Sequence, residues 1–318
     1  MVRIAVFGSG TVGGYFGGRL AAAGEDVSFI ARGAHLAAIR ERGLRVTSIL
    51  GDFVVDKSPV TDDPASVGQV DIVILGVKAW DVRDAARTMR PLIGADTAIV
   101  PLENGVEAPE QLAEALGRSH VLGGFCRILG WLAGPGHIHH EGVEPYIAFG
   151  ELDARPSRRT ERLLEAFSRA RGVRAEVPPD IRVAMWSKFI LIEPWSGLGA
   201  LTRAPVGELR TVPETRRLWE QAMEEVRAVA AAQEVALPRD VIARTFAYIE
   251  TIPAGGTASM QRDVMEGRPS ELDAQVGAVV RLGRRSGIPV PIHEFMYSTL
   301  LPLERQARGE TAVTIAAR

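Results

Sequence analysis

The sequence contains almost no cysteine, and neither sign of charge is in excess. Cys126 is the single cysteine among 318 residues, so no disulfide forms within the chain, as is typical of a reducing compartment. The 37 lysines and arginines nearly balance the 39 aspartates and glutamates. The overall composition therefore gives no indication of the basic surface by which proteins bind nucleic acids or anionic membranes. We expect Cys126 to be a small buried hydrophobe; a reactive thiol beside Arg127 is the alternative.

Long apolar runs are absent as well. No run is long enough to cross a bilayer, and because the strand-like stretch VRIAVF follows Met1 directly, we expect no signal peptide. We therefore expect a cytoplasmic protein that binds neither nucleic acids nor membranes. A homodimer is compatible with the sequence, which does not define the oligomeric state.

Short apolar runs alternate with helix-like segments through the first half of the chain. The runs RIAVF, DVSFIAR, VDIVILGV and TAIVPL are apolar on both faces, which is typical of parallel strands covered by helices. From about residue 157 onward the periodicity is helical almost throughout. The pattern predicts an α/β fold, with a Rossmann-type, mostly parallel sheet domain at residues 1–175 and an all-helical C-terminal domain at residues 176–318.

A glycine motif follows the first predicted strand. Gly8, Gly10 and Gly13 form G-x-G-x-x-G at the start of a predicted helix that ends at Gly24. In this context the motif is typical of the turn that binds a dinucleotide pyrophosphate, because glycines permit close approach and the helix N-terminus faces the phosphates. An ordinary turn is the alternative. The expected cofactor contacts are Gly8, Ser9, Gly10, Thr11, Val12 and Gly13.

The second predicted strand ends without the acidic residue that NAD-binding proteins use. An aspartate or glutamate about 20 residues beyond the motif normally binds the ribose 2′-hydroxyl. Here Ile30, Ala31 and Arg32 occupy that place. Because a guanidinium suits a 2′-phosphate through charge-assisted contacts, the sequence favours NADP(H). An exposed arginine without a ligand is the alternative.

Two polar residues follow the next predicted strands. Lys78 comes after VDIVILGV, and Asn104 comes after TAIVPL. Ligands of open α/β sheets bind outside the carboxyl ends of the strands, so both residues are candidate contacts. A charge at a helix entry and a plain Asn-Gly turn are the respective alternatives.

A lysine stands on an apolar helix face in the second half of the chain. If Asp180 caps a helix, the neighbours of Lys188 one turn away are all apolar. Such a lysine either extends past them to water or is desolvated, and the residues alone leave both possibilities open. The neighbours are Ala184, Met185, Leu191 and Ile192.

Several motifs occur in a characteristic order: GSGTVGG, KAWDV, ENGV, MWSKF, ASMQRDVMEGRPSELD and GIPVPIHE. In this order and at these spacings they resemble the ketopantoate reductase (2-dehydropantoate 2-reductase) family, from Val2 to about Leu303. The resemblance implies a Rossmann domain followed by a helical domain. It also implies NADPH-dependent reduction of a 2-oxo acid to a 2-hydroxy acid, which for ketopantoate is a step of pantothenate biosynthesis.

The resemblance also implies roles for single residues. Lys188 corresponds to the family's catalytic lysine, a general acid that protonates the carbonyl oxygen, typically worth about 10²–10⁴-fold. Glu271 corresponds to an acidic residue beside that lysine and the cofactor; a first-turn charge in a helix opened by Ser270 is the alternative. The implied cofactor contacts further include Lys78, Asn104 and Gly130, and the implied substrate contacts include Asn104 and Ser259.

Three positions depart from the family pattern. Ile192 and Ser196 stand where asparagines commonly follow the lysine, and Val206 stands where some members have a third. Pro194 is expected to interrupt the helix and to remove one backbone hydrogen bond. Asparagines there would hold the carboxylate and hydroxyl of the substrate, which aliphatic side chains cannot do. We expect Ile192 and Ser196 at the substrate site, and a more apolar 2-oxo acid or ketone is the alternative substrate.

Two other functions and a metal site are alternatives to a ketopantoate reductase. A β-hydroxyacid dehydrogenase would show G-x-x-G-x-G-x-x-x-K-x-x-x-N before its lysine, and this chain has no such string. A non-catalytic NADP(H)-binding sensor stays open because the asparagines are missing. His137 and His139 lie on one face of any strand, but no carboxylate or cysteine completes a metal site, so a polar hairpin without metal is expected.

Overall fold

The computed structural model describes residues 1–310, which divide into two compact units. One unit comprises Met1–Glu103 and Glu107–Arg182, and the other comprises Asn104–Val106 and the chain from Val183 onward. All described strands belong to the first unit. They are β1 (Arg3–Phe7), β2 (Asp26–Ile30), β3 (Leu44–Ser48), β4 (Phe53–Val55), β5 (Val60–Thr61), β6 (Val70–Leu75), β7 (Ile93–Pro101), β8 (Leu122–Gly134), β9 (His137–Glu151) and β10 (Arg174–Glu176).

The α-helices are distributed over both units. The first five lie in the first unit, the sixth begins there and continues through the second, and the rest lie in the second unit. Among the 310 described residues no helix is long and apolar enough to cross a membrane. The helices are α1 (Thr11–Ala22), α2 (Gly33–Arg42), α3 (Val82–Thr88), α4 (Ala108–Leu116), α5 (Arg158–Arg169), α6 (Ile181–Thr202), α7 (Val206–Thr211), α8 (Pro213–Ala232), α9 (Val241–Thr251), α10 (Ser259–Met265), α11 (Val276–Ser286) and α12 (Pro291–Ala307).

Five strands form a parallel sheet in the order β5-β2-β1-β6-β7. Successive residues of β1 point to opposite faces: Ile4 and Val6 pack into one apolar core, and Ala5 and Phe7 into another. Burial on both faces explains why these strands are continuous apolar runs in the sequence. The predicted α/β class, a mostly parallel sheet followed by a helical region, is confirmed.

A second sheet packs against α1 and has the order β10-β9-β3-β4, with β8 paired to β9. Strands β8 and β9 form an antiparallel hairpin whose turn contains Gly136, with φ +73°. The hairpin around GHIHHEG was expected, but its strands are much longer than the polar segment. They extend because both ends of β9 contribute fully buried residues, with Ile138 and His140 alternating at one end and Ile147, Ala148 and Phe149 at the other.

Helix α6 passes through Pro194 without interruption, so the predicted break there is wrong. Proline removes one backbone hydrogen bond, but the residues from 193 to 200 are all buried, and their packing outweighs this loss. Gly197 and Gly199 allow the close packing, since an added Cβ would lie 2.7 Å from the Met296 sulfur and 2.5 Å from Gln261, respectively.

Candidate functional site

The glycine motif forms a tight turn between β1 and α1. Gly8 has φ +92°, and a Cβ on it would lie 2.8 Å from Val77. A Cβ on Gly13 would lie 2.2 Å from the Gly8 carbonyl oxygen, whereas a Cβ on Gly10 would meet nothing within 4 Å. Two glycines therefore permit the packing, and the third leaves open space at the helix N-terminus. This arrangement fits a dinucleotide pyrophosphate.

Hydrogen bonds to β2 hold the beginning of this turn. The N–H groups of Gly8 and Ser9 both donate to the Ile30 carbonyl at 3.2 Å, and the buried Ser9 hydroxyl donates to the same oxygen at 3.0 Å. Helix α1 then begins at Thr11 with Gly10 as its N-cap. Because the first N–H groups of a helix have no partner within it, they are the donors available to an anion.

A fourth glycine at this turn was missed in the sequence. Gly76 follows β6 directly, and a Cβ on it would lie 2.8 Å from the Gly13 nitrogen and 3.1 Å from the Gly8 carbonyl oxygen. The helix and the turn can approach β6 only because this side chain is absent. A glycine at the end of an otherwise apolar strand was the signal that could have identified it.

The other predicted cofactor contacts of the first unit lie at the carboxyl ends of strands or beside α1. Arg32 is exposed and is the N-cap of α2, two residues beyond β2. Lys78 is exposed beyond β6, with its Nζ 5.6 Å from the centre of the Trp80 ring. Gly130 of β8 lies beside the first residue of α1, since its added Cβ would be 3.2 Å from Thr11.

In the second unit, three predicted residues form one hydrogen-bonded chain. The Lys188 ammonium donates to the Asn104 side-chain oxygen at 2.8 Å, and the Asn104 amide nitrogen donates to a Glu271 carboxylate oxygen at 2.9 Å. These contacts define the orientation of the amide. Residues far apart in sequence thus combine a proton donor, an amide and a carboxylate.

Local structure places each member of this chain, here called the Lys-Asn-Glu cluster. Asp180 caps α6 as predicted, because its carboxylate accepts the Arg182 N–H at 2.8 Å. Gly105 has φ +112°, and a Cβ on it would lie 2.7 Å from the Ala274 carbonyl oxygen. Only glycine therefore lets the Asn104 segment approach the turn that carries Glu271. The Glu271 side chain is buried, where a carboxylate requires polar partners.

The helix predicted to open at Ser270 begins only at Val276, so that prediction is wrong. The Ser270 N–H and hydroxyl both donate to the Glu304 carboxylate, the hydroxyl at 2.5 Å. Residues 271–275 form turns, and Gln275 has φ −100° and ψ −88°, outside helical geometry. Glu271 is consequently not a first-turn charge, and its carboxylate accepts from Asn104 instead.

The predicted substrate positions differ in burial. Ile192 is half-buried, one helical turn beyond Lys188, and Ser259 is half-buried as the first residue of α10. Ser196 is fully buried, and its hydroxyl has no hydrogen-bond partner among the described residues. Val206 is fully buried in the apolar core of the second unit. Of the three departures, only Ile192 retains partial exposure.

The histidines of the hairpin have other partners. The His137 ring nitrogen lies 2.9 Å from the Thr47 hydroxyl, and the His139 ring stacks on Trp131 with centres 4.5 Å apart. Within residues 1–310 no group of three or more His, Cys, Asp or Glu residues could hold a metal ion. Cys126 is buried in β8.

Two family models match almost the whole chain. The model described as Ketopantoate reductase PanE/ApbA matches residues 4–154, and its C-terminal companion matches residues 180–304. The chain is 30% identical to the uncharacterized oxidoreductase YkpB of Bacillus subtilis, over 96% of this chain and 100% of that protein. It is 31% identical to a 2-dehydropantoate 2-reductase of Mesorhizobium japonicum, over 91% and 94% of the two chains.

A solved structure shows the same architecture. The PanE/ApbA family ketopantoate reductase of Ralstonia eutropha JMP134 superposes with a TM-score of 0.86 at 33% sequence identity. The match covers 96% of this chain and 99% of that one. The similarity therefore extends over both units rather than the dinucleotide-binding part alone.

Proposed function

The chain belongs to the ketopantoate reductase PanE/ApbA family of oxidoreductases, and from this we propose that it reduces a 2-oxo acid to the 2-hydroxy acid with NADPH. The observation that carries the proposal is the Lys-Asn-Glu cluster, in which the Lys188 ammonium contacts Asn104 and Asn104 contacts Glu271. Reduction of a carbonyl needs a proton donor for its oxygen, and a held lysine is such a group.

The residues of the first unit support binding of NADP(H). The open space at Gly10 and the N-terminus of α1 suit the pyrophosphate, and Arg32 suits a 2′-phosphate. We assign cofactor binding to the domain predicted at residues 1–175, with further contacts from Lys78 and Gly130. When bound, the dinucleotide supplies the hydride that reaches the carbonyl carbon.

The cluster has a distinct task for each residue. Lys188 holds a proton at Nζ and donates it to the carbonyl oxygen, and its charge stabilises the negative charge that develops there. Asn104 orients the ammonium, and Glu271 holds the amide of Asn104 by accepting from it. We assign substrate binding and this step to the helical domain predicted at residues 176–318, with Ser259 and Ile192, which are both half-buried, as further substrate contacts.

A more apolar 2-oxo acid than ketopantoate is the second candidate substrate. It is favoured by Ile192, which lies one turn beyond Lys188 and is only half-buried. An isoleucine there cannot bond the hydroxyl of ketopantoate, and an unpaired buried polar group costs about 1–3 kcal/mol. Val206 is enclosed in the core and supplies no polar group either.

Steady-state oxidation of NADPH with a panel of 2-oxo acids tests both proposals. The decisive pair is ketopantoate and trimethylpyruvate, which is ketopantoate without its hydroxyl group. We expect turnover of 2-oxo acids and a higher kcat/KM for trimethylpyruvate. A tenfold preference for ketopantoate would show that the interpretation of Ile192, Ser196 and Val206 is wrong. NADPH binding without turnover of any 2-oxo acid would favour the sensor instead.

A further inference from the structure

His35 connects three backbone segments of the first unit. It lies in the first turn of α2, and its Nε2 is 2.8 Å from the carbonyl oxygen of Ser9 in the glycine motif. Its Nδ1 is 3.0 Å from the backbone nitrogen of Gly136, in the turn between β8 and β9. The ring is half-buried at this junction. None of the motifs considered above includes His35.

The two contacts define the tautomer of the imidazole. The Gly136 N–H can only donate, so Nδ1 accepts and carries no hydrogen. The Ser9 carbonyl can only accept, so Nε2 carries the hydrogen and donates it. His35 is therefore neutral in this arrangement, and both of its ring nitrogens are engaged.

The carbonyl that His35 holds is half of the peptide unit joining Ser9 to Gly10. The described chain contains no cis peptide bond, and in a planar trans peptide the C=O and the following N–H point in opposite directions. Holding the Ser9 carbonyl therefore sets the direction of the Gly10 N–H. Gly10 is the N-cap of α1, where N–H groups lack intrahelical partners and serve as anion donors.

The other anchor of His35 is itself rigidly placed. Gly136 has φ +73°, and a Cβ on it would lie 3.0 Å from the Ala38 side chain of α2. The Gly136 carbonyl also accepts the Arg45 N–H at 2.9 Å. The hairpin turn thus packs directly on α2, and its Gly136 N–H donates to Nδ1 of His35. The Nε2 side of the same ring faces the glycine motif.

We propose that His35 is a positioning residue for the dinucleotide pyrophosphate: it holds the Ser9 carbonyl and thereby aims the Gly10 N–H at the phosphate oxygens. The proposal rests on the proposed function, since the pyrophosphate is that of NADP(H). It concerns a part of the cofactor common to NADPH and NADH. Arg32, by contrast, is assigned to the 2′-phosphate, so the two residues predict different effects on the two cofactors.

Three substitutions of His35 separate its two contacts. A glutamine amide nitrogen reaches the place of Nε2 and retains the donor to Ser9, whereas an asparagine oxygen reaches that of Nδ1 and retains the acceptor for Gly136. We expect His35→Ala and His35→Asn to raise the Kd of NADPH and of NADH by the same factor, about tenfold. His35→Gln should restore both to within about threefold of the parent, and kcat at saturating cofactor should change little.

The matched control is His120→Ala. The His120 ring nitrogen lies 3.0 Å from the Thr97 carbonyl oxygen, and neither residue belongs to the glycine motif. Its cofactor binding should equal that of the parent. The glutamine and asparagine variants each retain one of the two hydrogen bonds of His35. Their Kd values therefore test the proposal even if the alanine variant does not fold. Unchanged Kd values, rescue by asparagine instead of glutamine, or an altered NADPH/NADH ratio would overturn the proposal. A parent protein that binds neither NADPH nor NADH would overturn the proposed function itself.

Discussion

At the scale of single residues, Arg32 determines which dinucleotide we expect the protein to prefer. It is exposed at the end of β2, where NAD-binding proteins carry an acid. A guanidinium makes charge-assisted hydrogen bonds to a 2′-phosphate. Its hydrogen bonds to an uncharged 2′-hydroxyl are weaker. The expected preference therefore depends on one side chain, and substitution of that side chain can test it.

We expect the parent protein to use NADPH at least tenfold better than NADH, a difference of about 1.4 kcal/mol or more. Arg32→Ala should remove most of this preference, measured as the ratio of kcat/KM for the two cofactors. Arg40→Ala is the control. Arg40 is an exposed arginine of α2, the helix that Arg32 caps, and its guanidinium lies 3.7 Å from the Asp62 carboxylate. An unchanged ratio in Arg32→Ala would contradict the assignment.

Lys188 is the residue on which the chemical step depends in the proposed function. Lys188→Ala removes the group that contacts Asn104, so kcat should fall by about 10²-fold or more while the Kd of NADPH stays near that of the parent. Stopped-flow measurement of NADPH oxidation and a separate binding titration distinguish the two quantities. Lys57→Ala, at an exposed lysine of the first unit, is the control. A kcat within a few-fold of the parent would mean that Lys188 is not the general acid.

At the scale of elements, a buried histidine connects three helices of the second unit. His293 of α12 lies between two carboxylates, with Nε2 2.6 Å from Glu193 of α6 and Nδ1 2.5 Å from Glu225 of α8. Burial alone would lower the pKa of His293, but the two carboxylates outweigh burial and raise this pKa from 6.5 to about 9. Glu225 also accepts the N–H groups of Ile292 and His293 at the start of α12.

This arrangement predicts a loss of stability at alkaline pH. A histidine whose pKa is raised on folding contributes stability that is fully present below pH 6.5 and is lost as the pH rises through about 9. Between pH 7 and 10 the parent should therefore lose stability on the order of a few kcal/mol from this group. His293→Gln, which does not titrate, should start less stable and show a flatter dependence of Tm on pH.

The control for this measurement is His139→Gln, since His139 is partly exposed and stacks on Trp131 in the first unit. Its Tm should follow the pH as the parent does. Parallel curves for the parent and His293→Gln would show that the buried histidine is not the titrating group.

At the scale of the whole molecule, the parallel sheet was predictable because the sequence features that indicate it are local. The strands are buried on both faces, so each is a continuous apolar run, and the glycine motif lies beside the strand it follows. Gly24 ends α1 with φ +92°, as its position beyond the last apolar turn indicated. The long hairpin was harder to predict because β8 has no single pattern: residues 122–126 are all buried, and those beyond Cys126 are exposed or half-buried.

The candidate cluster was predictable only through the family resemblance. Lys188 and Asn104 are 84 residues apart, and Asn104 and Glu271 are 167 apart, so no spacing rule brings them together. Tertiary packing also explains the two wrong local predictions, the helix break at Pro194 and the helix start at Ser270. Buried residues carry α6 through Pro194, and the backbone of Gln275 leaves helical geometry, so the helix expected at Ser270 begins only at Val276. His35 was overlooked because both of its contacts are to backbone atoms, which leave no pattern in a sequence.

The most direct test of the account follows the hydride itself. The protein is incubated with a reactive 2-oxo acid and NADPH deuterated at the transferred position of its nicotinamide ring, and the product is examined by mass spectrometry and NMR. We predict a 2-hydroxy acid that carries one deuterium on the carbon of the former carbonyl, formed in step with NADPH consumption and strongly slowed in Lys188→Ala. A 2-hydroxy acid without that deuterium, or NADPH consumption with no hydroxy acid formed, would contradict the proposed reduction.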